Sequence, residues 1–270
     1  MVFLSISIVT YHTAQPLLEE LWRSLVVAAE RAAAAGACDG FKLILVDNAE
    51  AGDHAVRDFV ARHDDAPVEL HSGHGNIGFG AGHNLALHQT DSDYHLVLNA
   101  DVKLAADSLT EALRFMEAHP ECGLLAPAVY DGQGRQQFLC KRYPAVLDFF
   151  LRGFAPGWLR RRFGKRLERY ELRDLVRETV LWDPPVVSGS FMFFRTSVLK
   201  QLGGFDTRFF LYFEDFDLTL RAAKISRVAY VPSVRMVHYG GNAARKGFNH
   251  VRMFIAAAFR FYRKNGWKWV

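Results

Sequence analysis

Apolar runs of strand length alternate with amphipathic helical patterns in the first half of the chain, and this alternation most constrains the fold. SISIVT, FKLILVDN, VELHS and YHLVLNAD are typical of strands. Helices are expected from Pro16 to about Gly36, over roughly residues 51–63, and from about Gly82. Nearly continuous apolar strands require helices on both faces. We therefore predict an α/β domain with a doubly wound sheet.

Polar residues follow three of these strands at the points where the strands end. They are Thr10 with Tyr11, Asp47 with Asn48, and Asn99 with Asp101. Ligands of such sheets bind at the carboxyl ends of the strands, so we expect these residues to share one cleft. For the Asn99-Ala100-Asp101 stretch alone, two interpretations stay open: a turn in which the side chains bond their own backbone, and a metal or phosphate site.

The loop GHGNIGFGAGHN, residues 73–84, contains five glycines and leads into a helix. Glycines allow backbone N–H groups to approach a phosphate, and a helix N-terminus adds a favourable field. No lysine follows as in a Walker loop, and the loop comes after the third strand rather than the first. A nucleotide-binding loop and a mobile surface loop both remain possible.

An acidic cluster follows an aromatic run in LGGFDTRFFLYFEDFDLTLR. Asp217 and Arg221 are spaced as an i,i+4 ion pair on a helix. Neighbouring residues on a helix point about 100° apart, so Glu214 and Asp215 cannot share one face. We expect Glu214 to lie on the exposed face with Asp217, and Asp215 to point into the cleft.

The net charge of +4 conceals two basic stretches. Residues 141–177 contain eleven Lys and Arg against four acids, and residues 245–270 contain seven and no acid. Both stretches are rich in Trp, Tyr and Phe, which suits an anionic membrane surface. Two alternatives remain open: amphipathic helices that pack on the core, and a nucleic-acid-binding patch, for which no recognised motif is present.

Three widely separated cysteines, Cys38, Cys122 and Cys140, predict neither a disulfide framework nor a zinc site. The stretch MVFLSISIVTYHT lacks a basic start and a small-residue cleavage site, and its apolar part is too short to span a bilayer. A cytoplasmic location is expected.

Five motifs in this order, NIGFGAGHN, LVLNADV, VSGSFMFFR, GGFDTRFFLYFEDFDLTLR and HYGG, resemble those of bacterial family 2 glycosyltransferases. The resemblance runs from about Ser5 to Gly241 and is closest to the rhamnosyltransferase-like members that build O-antigen and cell-wall linkers. It implies a GT-A fold, which is α/β with a Rossmann-like, mixed but mainly parallel sheet and helices on both faces. It also implies a nucleotide-sugar donor, a divalent cation (Mg²⁺ or Mn²⁺) and inversion at the anomeric carbon. Asn99 stands where many members have the first Asp of an Asp-x-Asp motif, which removes one charge from the metal site.

The resemblance also implies roles for individual residues. Asp101 and His238 are implied metal ligands, Asp215 the general base, and Glu214 beside it an acceptor-binding or positioning residue. Gly189 and Ser190 match the turn on the acceptor side. The implied donor-binding residues are Thr10, Tyr11, Asp47, Asn48, Asn76, Gly78, Phe79, Gly80, Asn84, Asn99 and Asp101.

We divide the chain accordingly into a GT-A domain over residues 1–240 and a basic aromatic C-terminal helix over residues 241–270. Within the domain, residues 1–125 form the nucleotide-sugar half, 141–177 a basic helical insertion and 185–240 the acceptor and catalytic half. The expected reaction moves a deoxyhexose, L-rhamnose from dTDP-L-rhamnose, to a polyprenyl-diphosphate-linked sugar or a polysaccharide. The enzyme would be peripheral on the inner face of the bacterial plasma membrane and would bind no nucleic acid. The alternatives are a nucleotidyltransferase, which would typically have a basic Gly-rich loop early in the chain, and a non-catalytic nucleic-acid-binding protein.

Overall fold

A computed structural model of the protein describes residues 1–50, 54–63, 66–240 and 248–270. Its strands form one sheet. They are β1 (Phe3–Thr10), β2 (Gly40–Asp47), β3 (Val68–Ser72), β4 (Tyr94–Leu98), β5 (Val102–Leu104), β6 (Cys122–Tyr130), β7 (Gln136–Gln137), β8 (Leu181–Trp182), β9 (Phe191–Arg195) and β10 (Arg227–His238).

The helices follow the strands in alternation through the first half and cluster in the second half. They are α1 (Gln15–Ala34), α2 (Ala55–Ala61), α3 (Phe79–Leu87), α4 (Ser108–Ala118), α5 (Val146–Gly153), α6 (Gly157–Arg162), α7 (Gly164–Tyr170), α8 (Thr196–Gln201), α9 (Glu214–Ala222) and α10 (Phe248–Asn265).

The strand order in the sheet is β3-β2-β1-β4-β9-β6-β10-β5, with β7 beside β6 and β8 beside β10. The four strands from β3 to β4 are parallel, and β6 and β10 are parallel to each other. Strand β9 is antiparallel to both β4 and β6. The mixed, mainly parallel sheet that the family resemblance implied is therefore confirmed.

Helices cover both faces of the sheet, as the apolar strands require. One core cluster joins Leu18 and Leu21 of α1 and Leu109 of α4 to Leu96 of β4. A second cluster, on the opposite face, includes Val97 of the same strand together with residues of α3, α8 and α9. Successive side chains of β4 thus enter different cores, because side chains alternate across a strand.

Two helix boundaries differ from the sequence-based prediction. Helix α3 begins at Phe79 rather than near Gly82, because the Phe79 N–H donates to the Phe210 carbonyl (3.1 Å) and fixes the start of the helix there. Helix α2 covers Ala55–Ala61, within the predicted 51–63; residues 51–53 of that prediction lie outside the described residues.

The insertion and the C-terminal helix α10 pack together on the outer side of α9. Phe209, Phe213, Ala257, Phe261 and Tyr262 form a buried apolar cluster there. The Lys264 ammonium of α10 lies 2.7 Å from a carboxylate oxygen of Asp217 and 2.7 Å from one of Asp206. The inner face of α10 is thus part of the core, as one of the open interpretations proposed.

The C-terminal segment satisfies the N-terminus of helix α5. Ala145, the residue before this helix, has no side-chain oxygen to accept the free N–H groups of the first turn. The N–H groups of Val146 and Leu147 donate instead to the carbonyls of Lys268 (2.8 Å) and Trp269 (3.2 Å). The segment therefore ties α10 to the insertion through main-chain bonds.

Removing residues 268–270 should expose the amides of Val146 and Leu147. A net contribution of about 1 kcal/mol per hydrogen bond predicts roughly fivefold faster hydrogen exchange for each amide. Lys268→Ala with Trp269→Ala keeps both carbonyls and serves as the control, in which protection should persist. Unchanged exchange in the shortened chain, measured by NMR, would contradict the capping role.

Candidate active site

The ends of β1 and β2 bring together three of the predicted donor-binding residues. Thr10 is paired with Asp47, and its hydroxyl donates to a carboxylate oxygen of Asp47 (2.9 Å). The side-chain amide of Asn48 donates to the Gly78 carbonyl (3.1 Å), which joins this edge to the glycine-rich loop. Oδ1 of Asn48 is buried and has no hydrogen-bond partner among the described residues, so it is available to a ligand.

The glycine-rich loop is held against the segment that precedes the acidic cluster. Gly78 has φ 91°, and a side chain at this position would collide with the Phe210 carbonyl. The Asn76 side chain accepts from the Gly78 N–H (3.1 Å). Together with the Phe79 to Phe210 bond, these contacts place the loop and the acidic segment side by side.

Three other predicted donor-binding residues, Asn84, Gly80 and Tyr11, make different contacts. The Asn84 side chain exchanges two hydrogen bonds of 2.8 Å with the backbone of Phe205, and Gly80 packs against the same Phe205. Tyr11 is 52% exposed and lies edge-on to His12. A role in donor binding stays a prediction for all three, and the first two also have an evident role in loop packing.

Asp101 and His238 meet at the end of β4. Nε2 of His238 lies 3.3 Å from Oδ1 of Asp101, and the Gln137 amide donates to the His238 carbonyl (3.1 Å). Burial would raise the pKa of Asp101, but the hydrogen bond and charge of His238 outweigh it and hold this pKa below its ordinary value. A side chain at position 240 would collide with the Asp101 carboxylate, so Gly240 keeps the space beside both residues open.

This pair fits a divalent cation that receives its other ligands from elsewhere. A carboxylate oxygen and an imidazole nitrogen are both suitable ligands for Mn²⁺, and the carboxylate suits Mg²⁺. Within residues 1–50, 54–63, 66–240 and 248–270, no group of three or more His, Cys, Asp and Glu side chains is close enough to hold a metal. The remaining ligands would have to be oxygens of a bound molecule such as a diphosphate.

Two hydrogen bonds donated by main-chain N–H groups connect the strand end that carries Asp101 to the acidic cluster. The N–H of Asn99, two residues before Asp101, donates to the Ser190 carbonyl (3.1 Å). The N–H of Gly189, in the same turn, donates to Oδ2 of Asp215 (2.8 Å). The structure therefore brings together the strand end, the 188–190 turn and the acid at position 215.

The Asp215 carboxylate is surrounded by protein although part of the residue remains exposed. Burial raises its pKa above the ordinary value of an aspartate. The N–H donors of Gly189 and Phe216 and the positive charge of Lys141 act in the opposite direction. The result is a carboxylate with increased proton affinity that still has two donors for its ionised form.

The expected orientation of Glu214 and Asp217 is wrong. Both are buried rather than exposed, with 5% and 0% of their surface accessible. Helix α10 covers the outer face of α9, and Asp217 forms a buried ion pair with Arg221 (2.9 Å) and with Lys264. The i,i+4 pair itself is confirmed. Burial and the neighbouring Asp215 charge raise the pKa of Glu214 well above its ordinary value, so the protonated form is favoured more than in an exposed glutamate.

The backbone before the acids is in a conformation that large side chains rarely adopt. Tyr212 has φ 73° and Phe213 φ 66°. The left-handed region costs about 1–2 kcal/mol for a residue other than glycine. The Phe213 ring is held by Phe149 (5.0 Å between ring centroids) and Phe254 (5.1 Å). Such strain in a packed segment indicates a functional constraint at the start of α9.

A buried chain of hydrogen bonds under the glycine-rich loop was missed at the level of sequence. Ser5 contacts Nδ1 of His95 (2.7 Å), Ser7 contacts Nε2 of His95 (2.8 Å), and Ser7 also contacts Nδ1 of His83 (2.7 Å). The alternation of serines with Leu4, Ile6 and Ile8 in β1 was the available signal.

The directions of these hydrogen bonds follow from Ser92, which lies at one end of the hydrogen-bonded series. Ser92 donates to the Tyr94 carbonyl (2.8 Å), so Ser5 must donate to Ser92 and accept from His95. Ser7 then donates to Nε2 of the neutral His95, whose pKa is lowered to about 3 by burial. It follows that Ser7 accepts from His83 and that Nε2 of His83 carries a lone pair. His83, on helix α3, is thereby fixed to the sheet.

Residues 141–177 and 248–270 carry a set of exposed residues that we call the basic aromatic surface; residues 241–247 of the predicted C-terminal helix lie outside the described residues. Its exposed members are Phe150, Phe154, Trp158 and Arg160–Arg162 of the insertion, and Ile255, Phe259, Trp267 and Trp269 of the C-terminal region. Trp267 stacks on Trp269 (5.1 Å between ring centroids). No helix in the described part of the chain is long and apolar enough to cross a bilayer.

Relatives of this chain include two named rhamnosyltransferases. An N-acetylglucosaminyl-diphospho-decaprenol L-rhamnosyltransferase of Mycobacterium tuberculosis (strain H37Rv) is 27% identical over 275 residues, which cover 96% of this chain and 84% of that protein. Rhamnosyltransferase WbbL of Escherichia coli (strain K12) is 27% identical over 240 residues, covering 85% of this chain and 82% of that protein.

Solved structures of similar fold are also glycosyltransferases. The mannosyltransferase PcManGT from Pyrobaculum calidifontis, in complex with GDP-Man and Mn²⁺, has a TM-score of 0.59 at 19% identity over 95% of this chain. GalNAc-T7 with UDP, GalNAc and Mn²⁺ has a TM-score of 0.65 at 14% identity over 97% of this chain. The chain spans 64% and 50% of these two longer chains. These likenesses confirm the expected GT-A fold.

The family model for glycosyl transferase family 2 matches residues 5–203, which is most of the chain. The matched range includes Thr10, Asp47 and Asp101 at the strand ends, the glycine-rich loop and the 188–190 turn. The acidic cluster beyond residue 203 is hydrogen-bonded to that turn through Gly189. The chain belongs to glycosyl transferase family 2.

Proposed function

We propose that this protein transfers L-rhamnose, with inversion, from dTDP-L-rhamnose to a sugar carried on a polyprenyl diphosphate. The observation that carries the proposal is the hydrogen-bonded link from Asn99 through Ser190 and Gly189 to Asp215. It connects a candidate diphosphate-binding strand end to a carboxylate suited to take a proton.

Asp215 acts as the general base. It accepts the proton of the acceptor hydroxyl while that oxygen forms a bond to the anomeric carbon of the donor. The bond from this carbon to the diphosphate breaks on the opposite face of the sugar, and the nucleoside diphosphate leaves with the electron pair. One displacement on one carbon inverts its configuration.

Asp101 and His238 would hold the divalent cation, and Asn99 would contribute to the same donor site. When bound, Mg²⁺ or Mn²⁺ supplies Lewis-acid stabilisation of negative charge on the diphosphate. Thr10, Asp47 and Asn48 would hold the nucleoside, with the unpartnered Oδ1 of Asn48 as a ready acceptor. Asn76, Gly78 and Phe79 would border the donor from the glycine-rich loop.

The lipid-linked acceptor is proposed from two considerations. The Mycobacterium tuberculosis relative is named for a diphospho-decaprenol acceptor. The basic aromatic surface combines Arg and Lys with exposed rings, which is typical of binding to anionic lipid headgroups. We therefore place the enzyme at the cytoplasmic face of the bacterial plasma membrane as a peripheral protein.

Asp215→Asn should reduce transfer by about 10²-fold to 10⁴-fold, because the amide cannot accept the hydroxyl proton. dTDP-L-rhamnose with Mn²⁺ should still raise the melting temperature of the variant, with about 2.7 kcal/mol of stabilisation at a concentration 100 times its Kd. Asp183→Asn, at an exposed acid on another edge, is the matched control. Near-normal transfer by Asp215→Asn would refute the base assignment, and stabilisation by other nucleotide sugars alone would refute the donor.

The raised pKa of Asp215 predicts that kcat/KM increases with pH through an ionisation above the usual aspartate range, at saturating Mn²⁺. The titratable groups near this carboxylate include Glu214 on the same helix and Lys141 on the insertion. Lys141→Met removes a charge that lowers the pKa of Asp215, so the midpoint should move to higher pH. A wild-type profile whose acid limb has its midpoint within the ordinary aspartate range, or a midpoint that moves to lower pH in Lys141→Met, would contradict this.

Replacing Arg160, Arg161 and Arg162 with Gln should weaken binding to vesicles of phosphatidylglycerol and phosphatidylcholine. At about 1 kcal/mol per charge, the partition coefficient should fall on the order of 100-fold. The triple variant of Arg23, Arg31 and Arg57, which are exposed on α1 and α2, has the same charge change and should bind as the wild type does. Equal vesicle sedimentation of both variants would remove the membrane assignment.

A further inference from the structure

An aromatic cavity of about 170 Å³ lies directly beside the two acids of α9. Its lining residues are Phe149, Tyr212, Phe213, Glu214, Asp215, Phe216 and Phe254. The rings come from four parts of the chain: the insertion helix α5, the strained segment before α9, α9 itself (Phe216) and the C-terminal helix α10. Among these residues, only Asp215 has a role in the reaction proposed above.

We propose that this cavity is the subsite for the acceptor's sugar ring, with Phe149, Tyr212 and Phe254 as its walls and Glu214 as a hydroxyl-positioning residue. The inference deepens the proposed function and rests on it for the identity of the reaction.

The chemistry of the cavity matches that of a pyranose ring. A pyranose has faces made of C–H groups and an edge made of hydroxyls, so it needs aromatic surface and polar groups in the same place. Aromatic walls with a few polar groups are typical of small-ligand sites. The carboxyl group of Glu214 in the lining disfavours an occupant that is entirely apolar, because such an occupant would leave its Oε2 without a partner.

Glu214 supplies a second and independent observation. Its Oε2 is buried and has no hydrogen-bond partner among the residues that the structure describes. Buried polar atoms are nearly always paired in native proteins, so this oxygen indicates a missing partner. A hydroxyl of a sugar in the cavity would provide one, because a hydroxyl can donate to a carboxyl oxygen.

The backbone geometry explains how the cavity is formed. Tyr212 and Phe213 both have positive φ values, and helix α9 begins immediately after them at Glu214. The hydroxyl of Tyr212 hydrogen-bonds to Nδ1 of His250 (3.0 Å), and its ring lies against Phe254 (5.5 Å between centroids). The strained turn therefore directs the rings and the acids toward one cavity, and α10 holds them there.

The position of Asp215 decides which part of the acceptor occupies the cavity. A general base must come within hydrogen-bond reach of the proton that it takes. Since Asp215 lines the cavity, the occupant is the sugar that bears the attacking hydroxyl. In a lipid-linked acceptor, the diphosphate separates the lipid chain from that sugar. The basic aromatic surface, which the insertion and the C-terminal region carry, is exposed and lies outside the cavity.

The test uses the full chain, dTDP-L-rhamnose, and a short-chain alkyl N-acetylglucosaminyl diphosphate as the acceptor probe. Phe254→Leu should raise the probe's KM and its Kd, measured by calorimetry, about tenfold while kcat and donor-induced thermal stabilisation change less than twofold. Phe41→Leu, at a partly buried ring on β2 far from the acids, is the control and should change neither value. Circular dichroism verifies that both variants fold.

Glu214 requires a pair of variants. Glu214→Leu should raise the KM of the probe about tenfold, whereas Glu214→Gln, which keeps a neutral hydrogen-bonding group, should restore it to within about threefold of the wild type. A purely structural role would make both variants unstable without this split in KM.

The outcomes separate this proposal from the proposed function. If the wild type transfers rhamnose but Phe254→Leu and Glu214→Leu keep the wild-type KM, the subsite is refuted and the function stands. If the wild type uses no nucleotide sugar as a donor, but both variants lose binding of the probe, the subsite proposal stands and the proposed function is refuted. If the alkyl diphosphate without sugar competes as well as the complete probe, the cavity binds the lipid and the proposal is overturned.

Discussion

The site depends on one structural constraint, the insertion of strand β9 in antiparallel direction between β4 and β6. This direction places the 188–190 turn, which leads into β9, at the edge where β4 ends. The Ser190 carbonyl can then accept from Asn99, and the Gly189 N–H can donate to Asp215. Because main-chain groups make these bonds on the β9 side, the link is independent of the side chains in the turn. Two acidic motifs far apart in the chain are thereby held at one edge of the sheet.

Local patterns predicted the elements well, because strand and helix periodicity depend on neighbouring residues. The same reasoning placed Thr10, Asp47 and Asn99 at strand ends, where the structure has them. It was wrong for Glu214 and Asp217, because a helical wheel considers only its own helix and α10 supplies Lys264 to the presumed outer face. The Ser7 contacts with His83 and His95 depend on the pairing of distant segments, so periodicity could indicate only that β1 carries polar residues on one face.

Burial of two adjacent acids sets the electrostatics of the site. Two neighbouring carboxylates cannot both ionise cheaply away from water, and here burial raises the pKa of each. The two residues differ in their hydrogen bonds: Asp215 accepts from two backbone N–H groups, whereas Glu214 has an unpartnered oxygen. When one of the two acids is ionised, the negative charge is therefore favoured on Asp215. The positive charge of Lys141 acts in the same direction.

Helices α5 and α10 connect the Glu214 and Asp215 pair to the basic aromatic surface. In each helix, one residue lines the cavity and the next residue along the helix is exposed. Phe149 and Phe254 line the cavity, while the next residue in each helix, Phe150 and Ile255, is exposed. Adjacent helical residues diverge by about 100°, so each helix necessarily presents one side to the cavity and another to the outside. The carbonyls of Lys268 and Trp269 tie α5 to the C-terminal segment, which fixes the two helices relative to each other. A membrane bound to the outer sides would therefore set the orientation of the cavity, so that a sugar carried on a lipid diphosphate would reach Asp215 from a defined direction.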